Sequence, residues 1–149
     1  MYVLERDLSV PVPRTQVFAF FADPRNLERL TPSSLRFEIL TPGTIQMRPG
    51  AIIEYCLHLS GIPIRWRTVI AEWDPPARFV DVQEKGPYAS WRHTHTFDET
   101  PDGTRIRDRV EYDLPFGALG KAAHFFFVAR RLNDIFAFRA RIVRELFTS

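Results

Sequence analysis

From Lys121 to Phe147 the chain runs without a glycine or a proline, and nothing else in the sequence constrains the fold as much. At ~100° per residue, Phe125, Val128, Ala129, Leu132, Ile135, Phe136, Ile142, Val143 and Leu146 project onto one face of a helix. A stripe this long must be covered, because helices in proteins owe most of their stability to packing of the apolar face. The longest unbroken apolar run near the C-terminus, Phe125 to Ala129, falls far short of the ~20 residues that cross a bilayer, so the cover must come from the rest of the chain.

That cover is a block of strands. Tyr2 to Val10 alternates and stops at Pro11-Val12-Pro13, whose prolines donate no ladder hydrogen bond. Thr15 to Ala22 suits a short helix with Val17, Phe18, Phe21 and Ala22 at helical spacing, ended by Asp23-Pro24, and a second short helix covers Asn26 to Leu30. The period then changes. Strands are expected at Leu35 to Leu40, Ala51 to Leu59, Pro63 to Trp73, Arg78 to Glu84, Ser90 to Phe97 and Thr104 to Leu114. Pro42-Gly43, Ser60-Gly61, Asp74-Pro75-Pro76, Gly86-Pro87 and Pro101-Asp102-Gly103 supply the turns. Connections this short make an antiparallel meander, since parallel neighbours need long crossovers. The expected fold class is α+β in one domain: a curved antiparallel sheet of about seven strands, two short helices after the first strand, and a long C-terminal helix laid across the sheet.

At 149 residues the chain buries enough surface to stand without metal or disulfide, and 45% hydrophobic content excludes disorder. Cys56 has no disulfide partner, and Met1 to Val10 lacks a secretion signal, which points to the cytoplasm. Net charge is +2, yet Lys121 to Ser149 holds six cations against two carboxylates and leaves the remainder acidic. A solvated polar helix face accounts for this without nucleic acid. Arg105, Arg107 and Arg109 form a basic strand face, but no aromatics interleave and Glu111 interrupts the row, so nucleic-acid binding is not expected. No phosphate loop, nucleophile elbow or cysteine-rich metal frame is present.

Trp73-Asp74-Pro75-Pro76 with Phe79, Asp81 and Gln83, then Gly86-Pro87-Tyr88, Trp91-Arg92-His93-Thr94-His95, Asp108 and Leu114-Pro115-Phe116-Gly117 carry a resemblance. Together with the element order, these motifs resemble the bacterial cyclase/dehydrase-like branch of the START and Bet v 1-like (SRPBCC) superfamily. The resemblance implies a helix-grip fold and a hydrophobic or amphipathic small-molecule ligand, in some members with aromatase/cyclase chemistry on polyketides. It implies no shared catalytic set, and no cofactor is expected.

Alternation places Trp91, His93, His95 and Phe97 on one strand face, and Ile106, Asp108, Val110 and Tyr112 on one face of the next. Two registers of the Pro101-Asp102-Gly103 turn set Asp108 opposite either His95 or Phe97. A contact between His95 and Asp108 would fix one tautomer, serving either general acid/base work, with His93 as the alternate, or a buried structural hydrogen bond. His93-x-His95 also invites a metal, with Asp108, Glu54 or His58 as further ligands; no third ligand is fixed by spacing, and no metal is expected. Trp66, Thr68 and Ile70 are further inward candidates with Tyr55 or Glu54, whereas the face of Asp81 and Gln83 is left open.

Arg139 falls within the apolar stripe between Phe136 and Val143, so it must find an anion, either an inward carboxylate such as Asp108 or Glu54 or a ligand oxygen. Phe126, Phe127 and Phe138 project toward the basic side, where an irregular helix, a homodimer or a cavity rim would account for them. The site expected is a cavity lined by Trp66, Trp91, His93, His95, Asp108, Tyr112, Phe136 and Arg139, holding a small amphipathic or aromatic ligand as carrier or sensor. A cyclase/dehydratase-like enzyme and a protein-interaction module are the alternatives.

Overall fold

A computed structural model of the chain describes residues 1–148. Among them seven strands form one antiparallel sheet: β1 (Tyr2–Val10), β2 (Glu38–Ile39), β3 (Ile52–Leu59), β4 (Ile62–Asp74), β5 (Arg78–Lys85), β6 (Ser90–Thr100) and β7 (Gly103–Asp113). Their order is β1-β7-β6-β5-β4-β3-β2, so every connection except that from β1 joins neighbours. Helices α1 (Arg14–Ala22) and α2 (Leu27–Leu30) fill the β1 to β2 connection, and α3 (Gly117–Ala123) and α4 (Ala129–Phe147) follow β7. This is the helix-grip arrangement.

Two irregularities bend β4 against β5, between Arg67 and Thr68 and between Ile70 and Glu72. Extra residues on one strand increase the local twist, which curls the sheet around α4. Register on the other side is set at Gly103. A Cβ there would lie 2.1 Å from the Val10 carbonyl oxygen, so β1 can approach the turn only where glycine stands. Thr104 Oγ1 donates to Val12 O at 2.7 Å beside it. The resulting two-residue turn, Pro101-Asp102, places His95 opposite Asp108 and Phe97 opposite Ile106.

Two expectations need correction. The strand expected from Leu35 to Leu40 is only Glu38–Ile39, because Ser33–Leu35 turns as a 3₁₀ helix and Arg36 takes a left-handed conformation at φ 46°. The C-terminal helix is longer than expected, starting at Gly117, and it is not uniform. His124–Val128 is π-helical and joins α3 to α4. A π turn adds a residue to the helical repeat, so positions before it rotate away from the stripe drawn with a 3.6 period. Leu132, Phe136 and Val143 are buried as expected, but Phe125 is 80% exposed.

The core has two large centres and a smaller one formed by Ala51, Ile53 and Ile70. At one end α1 buries Val17, Phe18 and Phe21 against Phe79, Phe97, Ile106 and Val143, with aromatic rings in edge contact at 5.3 Å for Phe18 and Phe97. At the other, Trp66, Trp91, Val110 and Tyr112 meet Leu132 and Phe136. Each apolar centre removes its side chains from water at roughly 1.5–3 kcal/mol apiece. Between the two centres the sheet turns polar.

Candidate active site and cavity

Reading the inward residues of β6 from its C-terminal end gives Phe97, His95, His93 and Trp91, which runs from one core centre to the other. The two histidines are buried, and their rings stack at 3.7 Å with 24° between planes. Phe79 closes the far side of His95 at 4.0 Å. Each imidazole reaches diagonally to a carboxylate on a flanking strand. His93 Nε2 lies 2.8 Å from Asp108 Oδ1 on β7, and His95 Nε2 lies 2.5 Å from Asp81 Oδ2 on β5.

Arg139 descends from α4 onto this layer, its Nη2 donating to Asp108 Oδ1 at 3.3 Å. Phe21 and Phe136 flank the guanidinium at 5.1 and 5.7 Å from their ring centroids. Internal pairing, with Asp108 as the anion, is therefore one partner of this arginine. Glu54 is not: it faces the outer surface and accepts from Arg67 Nε at 2.7 Å.

Burial opposes ionisation of Asp108, but the Arg139 charge and the His93 hydrogen bond overcome it and hold the carboxyl well below its usual range. Asp81 behaves alike, burial being outweighed by the hydrogen bond from His95 and the nearby histidine and arginine charges. Burial, reinforced by neighbouring His93, drives His95 down to about 4 against the pull of Asp81, so its imidazole is neutral at pH 7. Facing an ionised carboxylate, Nε2 carries the proton and donates to Asp81. His95 Nδ1 is then a bare acceptor, and it is buried without a hydrogen-bond partner, 3.6 Å from Asp108 Oδ1.

A cavity of about 450 Å³ opens beside this layer, between the sheet and α4. Trp66, Trp91, His93, His95, Phe136 and Arg139 all line it. Asp108 and Tyr112 do not. Asp108 stands behind His93 and Arg139, and the Tyr112 hydroxyl is 2.8 Å from His124 Nε2, tying β7 to the π-helical turn. The lining gains Asp81, whose face the sequence leaves open because it does not fix the length of the Gly86-Pro87 loop; the β5 to β6 register sets it opposite His93. Gln83 is occupied in clamping the loop, donating from Nε2 to Tyr88 O at 2.8 Å and accepting from Tyr88 N at 3.1 Å. Most of the remaining wall is apolar, and burial pushes the phenols of Tyr55 and Tyr88 up, keeping them protonated. Trp66 contributes a second orphan, since its Nε1 is buried without an acceptor.

Asp81, His93 and His95 offer ligand atoms within 4.8 Å of one another. The stacked imidazoles lie nearly parallel, however, so their in-plane lone pairs do not converge on a common point, and both Nε2 atoms are already engaged by carboxylates. His58 sits on β3 outside this group. The donor set does not fit an ion without ring rotation. The basic row on β7 is likewise committed: Arg105 pairs with Asp7, Arg107 with Asp98 and Arg109 with Glu5. Among the described residues no helix is long and apolar enough to cross a membrane.

No curated protein matches the sequence. Among solved structures, protein CV1439 from Chromobacterium violaceum superposes with a TM-score of 0.78 at 15% identity, over 100% of this chain and 99% of that one. TTHA0849 from Thermus thermophilus gives 0.71 at 15% identity, over 99% and 95%. The major latex-like protein 151 of Panax ginseng gives 0.71 at 10% identity, over 98% and 97%. These likenesses concern the fold. The profile of one family, described as polyketide cyclase / dehydrase and lipid transport, matches residues 1–146. A match over nearly the whole sequence, on a chain whose sheet grips its C-terminal helix around a cavity, makes this protein a member of the polyketide cyclase / dehydrase and lipid-transport family.

Proposed function

We propose that the chain is a carrier or sensor that binds one small amphipathic molecule in the cavity, its apolar body against Trp66, Trp91 and Phe136 and its polar end at the histidine and aspartate layer. The observation that carries this reading is the pair of orphaned buried atoms in the lining, the Trp66 Nε1 donor and the His95 Nδ1 acceptor. Leaving such a group unpaired costs about 1–3 kcal/mol, and a ligand that meets it recovers that free energy. The volume falls within the range of ordinary small-molecule sites.

The polar chemistry narrows the ligand. His95 Nδ1 needs a donor, and Trp66 Nε1 needs an acceptor. Asp81 in the wall, held ionised beside His95, disfavours an anionic head group at that end. A neutral molecule carrying a hydroxyl at one end and a carbonyl or ether oxygen elsewhere satisfies all three conditions. Native mass spectrometry of the purified protein is expected to reveal such a molecule, and its addition should quench Trp66 and Trp91 fluorescence. An empty protein that also ignores a panel of hydroxylated amphiphiles would sink the reading.

The second reading is a cyclase or dehydratase, favoured by one observation: a neutral His95 oriented by Asp81, with a free Nδ1 facing no protein partner, is the disposition of a general base. Turnover lost in His95→Ala with the fold intact supports it. Unchanged turnover removes it.

A further inference from the structure

Between Asp113 and Asp134 the sequence contains Lys121, Arg130 and Arg131 and no carboxylate. All three cations are exposed. The same stretch carries the largest exposed apolar side chains of the C-terminal region: Phe116, Leu119, Phe125, Phe126 and Phe127 stand 65–81% exposed. Phe125, Phe126 and Phe127 form a run of ring contacts, with centroids 5.1 and 6.3 Å apart. Isolated exposed apolar residues are ordinary, whereas an aromatic cluster surrounded by one sign of charge is not.

Local structure explains why these side chains point outward. Phe116 and Gly117 are both left-handed, at φ 70° and 50°, and throw the start of α3 away from β7. The π-helical turn then rotates consecutive phenylalanines off the packed stripe. At its inner edge the patch meets the cavity, since Leu114, Phe127, Val128 and Arg131 belong to the lining.

We propose that this segment docks on an anionic lipid surface, the phenylalanines entering the head-group region and Lys121, Arg130 and Arg131 pairing with lipid phosphates. The charge pattern selects this occupant. A second copy laid symmetrically on the patch would bring the same cations against one another, whereas a negative leaflet complements them. Apolar residues on one side and basic residues around them are the composition that lies in a membrane interface without spanning it. Docked in this way, the cavity mouth opens toward the bilayer. Docking of this surface does not require an occupied cavity.

The full chain is mixed with vesicles of phosphatidylcholine and phosphatidylglycerol, and separately with phosphatidylcholine alone, and the bound fraction is read by flotation. Binding is expected for the anionic vesicles and is expected to fall with salt. Lys121→Glu with Arg130→Glu should weaken it about thirty-fold or more, and Phe125→Ser with Phe126→Ser about ten-fold or more. Neither pair touches the cavity lining, and circular dichroism melting checks that both variants stay folded. No binding to anionic vesicles, or equal binding by the variants, overturns the proposal. So does a dimer in sedimentation velocity that the serine variant abolishes while vesicles remain unbound, an outcome that assigns the patch to a second copy.

Discussion

The two ends of the grip are built from similar residues and do opposite things. At the α1 end, Phe18, Phe21, Phe79 and Phe97 interlock with Val17, Ile106 and Val143 and leave Phe97 only 1% exposed. At the π-helical end, Trp66, Trp91, Tyr88 and Phe136 line open space, and three phenylalanines face solvent. Aromatic content therefore does not decide between core and cavity. What decides is the partner: α1 fills the first end, while at the second the cavity stands between the sheet and α4, and the phenylalanines of the π turn beside it face solvent. The charged layer lies where the two meet, closed by Phe79 on one side and open to the cavity on the other.

The comparison breaks first at its packed end. Phe97→Ala is expected to cost about 3–5 kcal/mol in denaturant unfolding, since no neighbour can collapse into the void, whereas Trp66→Phe at the open end should cost about 1 kcal/mol or less. Equal costs would mean that the open end is as tightly packed as the other. The next largest effect belongs to the boundary. Asp108→Asn leaves Arg139 buried beside an uncharged amide and is expected to lose about 3–5 kcal/mol, much of it recovered when Arg139→Met is added. A double variant no better than the single would show that Arg139 draws its stability from elsewhere.

These effects bear on what a sequence can disclose. The meander, the closing helix and the inward faces of β6 and β7 were legible because alternation and helical period are local properties of Ser90 to Asp113 and Ala129 to Phe147. Arg139 was legible as a charge on an apolar stripe. Its partner was only half legible, because Asp108 and Glu54 both alternate onto plausible faces and only the assembled sheet turns Glu54 outward to Arg67. The pairing of His95 with Asp81 was hidden because the length of the Gly86-Pro87 loop does not fix the β5 to β6 register, and that of His93 with Asp108 by its diagonal reach. The π turn was invisible for a similar reason: nothing in His124 to Val128 departs from helical composition, and its effect is to displace every residue before it.

Acid supplies the third test. His95 binds its proton less readily when folded, so the unfolded chain takes up more protons between about pH 6.5 and about pH 4, and stability is lost as pH falls through that window by roughly 3 kcal/mol. Asp81 and Asp108 shift in the sense that keeps them ionised, and their contribution is present above the ordinary carboxylate range and is lost only at still lower pH. His95→Gln should flatten the upper part of the profile and leave the lower part. The smallest effect is at the exposed end, where Phe126→Ser is expected to change unfolding free energy by no more than about 0.5 kcal/mol, because that side chain covers nothing in the free protein.

The proposed ligand is a neutral molecule whose hydroxyl meets the polar end of the cavity, where an anion is disfavoured. Calorimetric titration with 2-naphthol and 2-naphthoate at neutral pH, two probes of one skeleton, tests this directly. Tighter binding of the naphthol by about ten-fold or more, reduced by Asp81→Asn, is the predicted result; naphthoate binding as tightly or more tightly would contradict it.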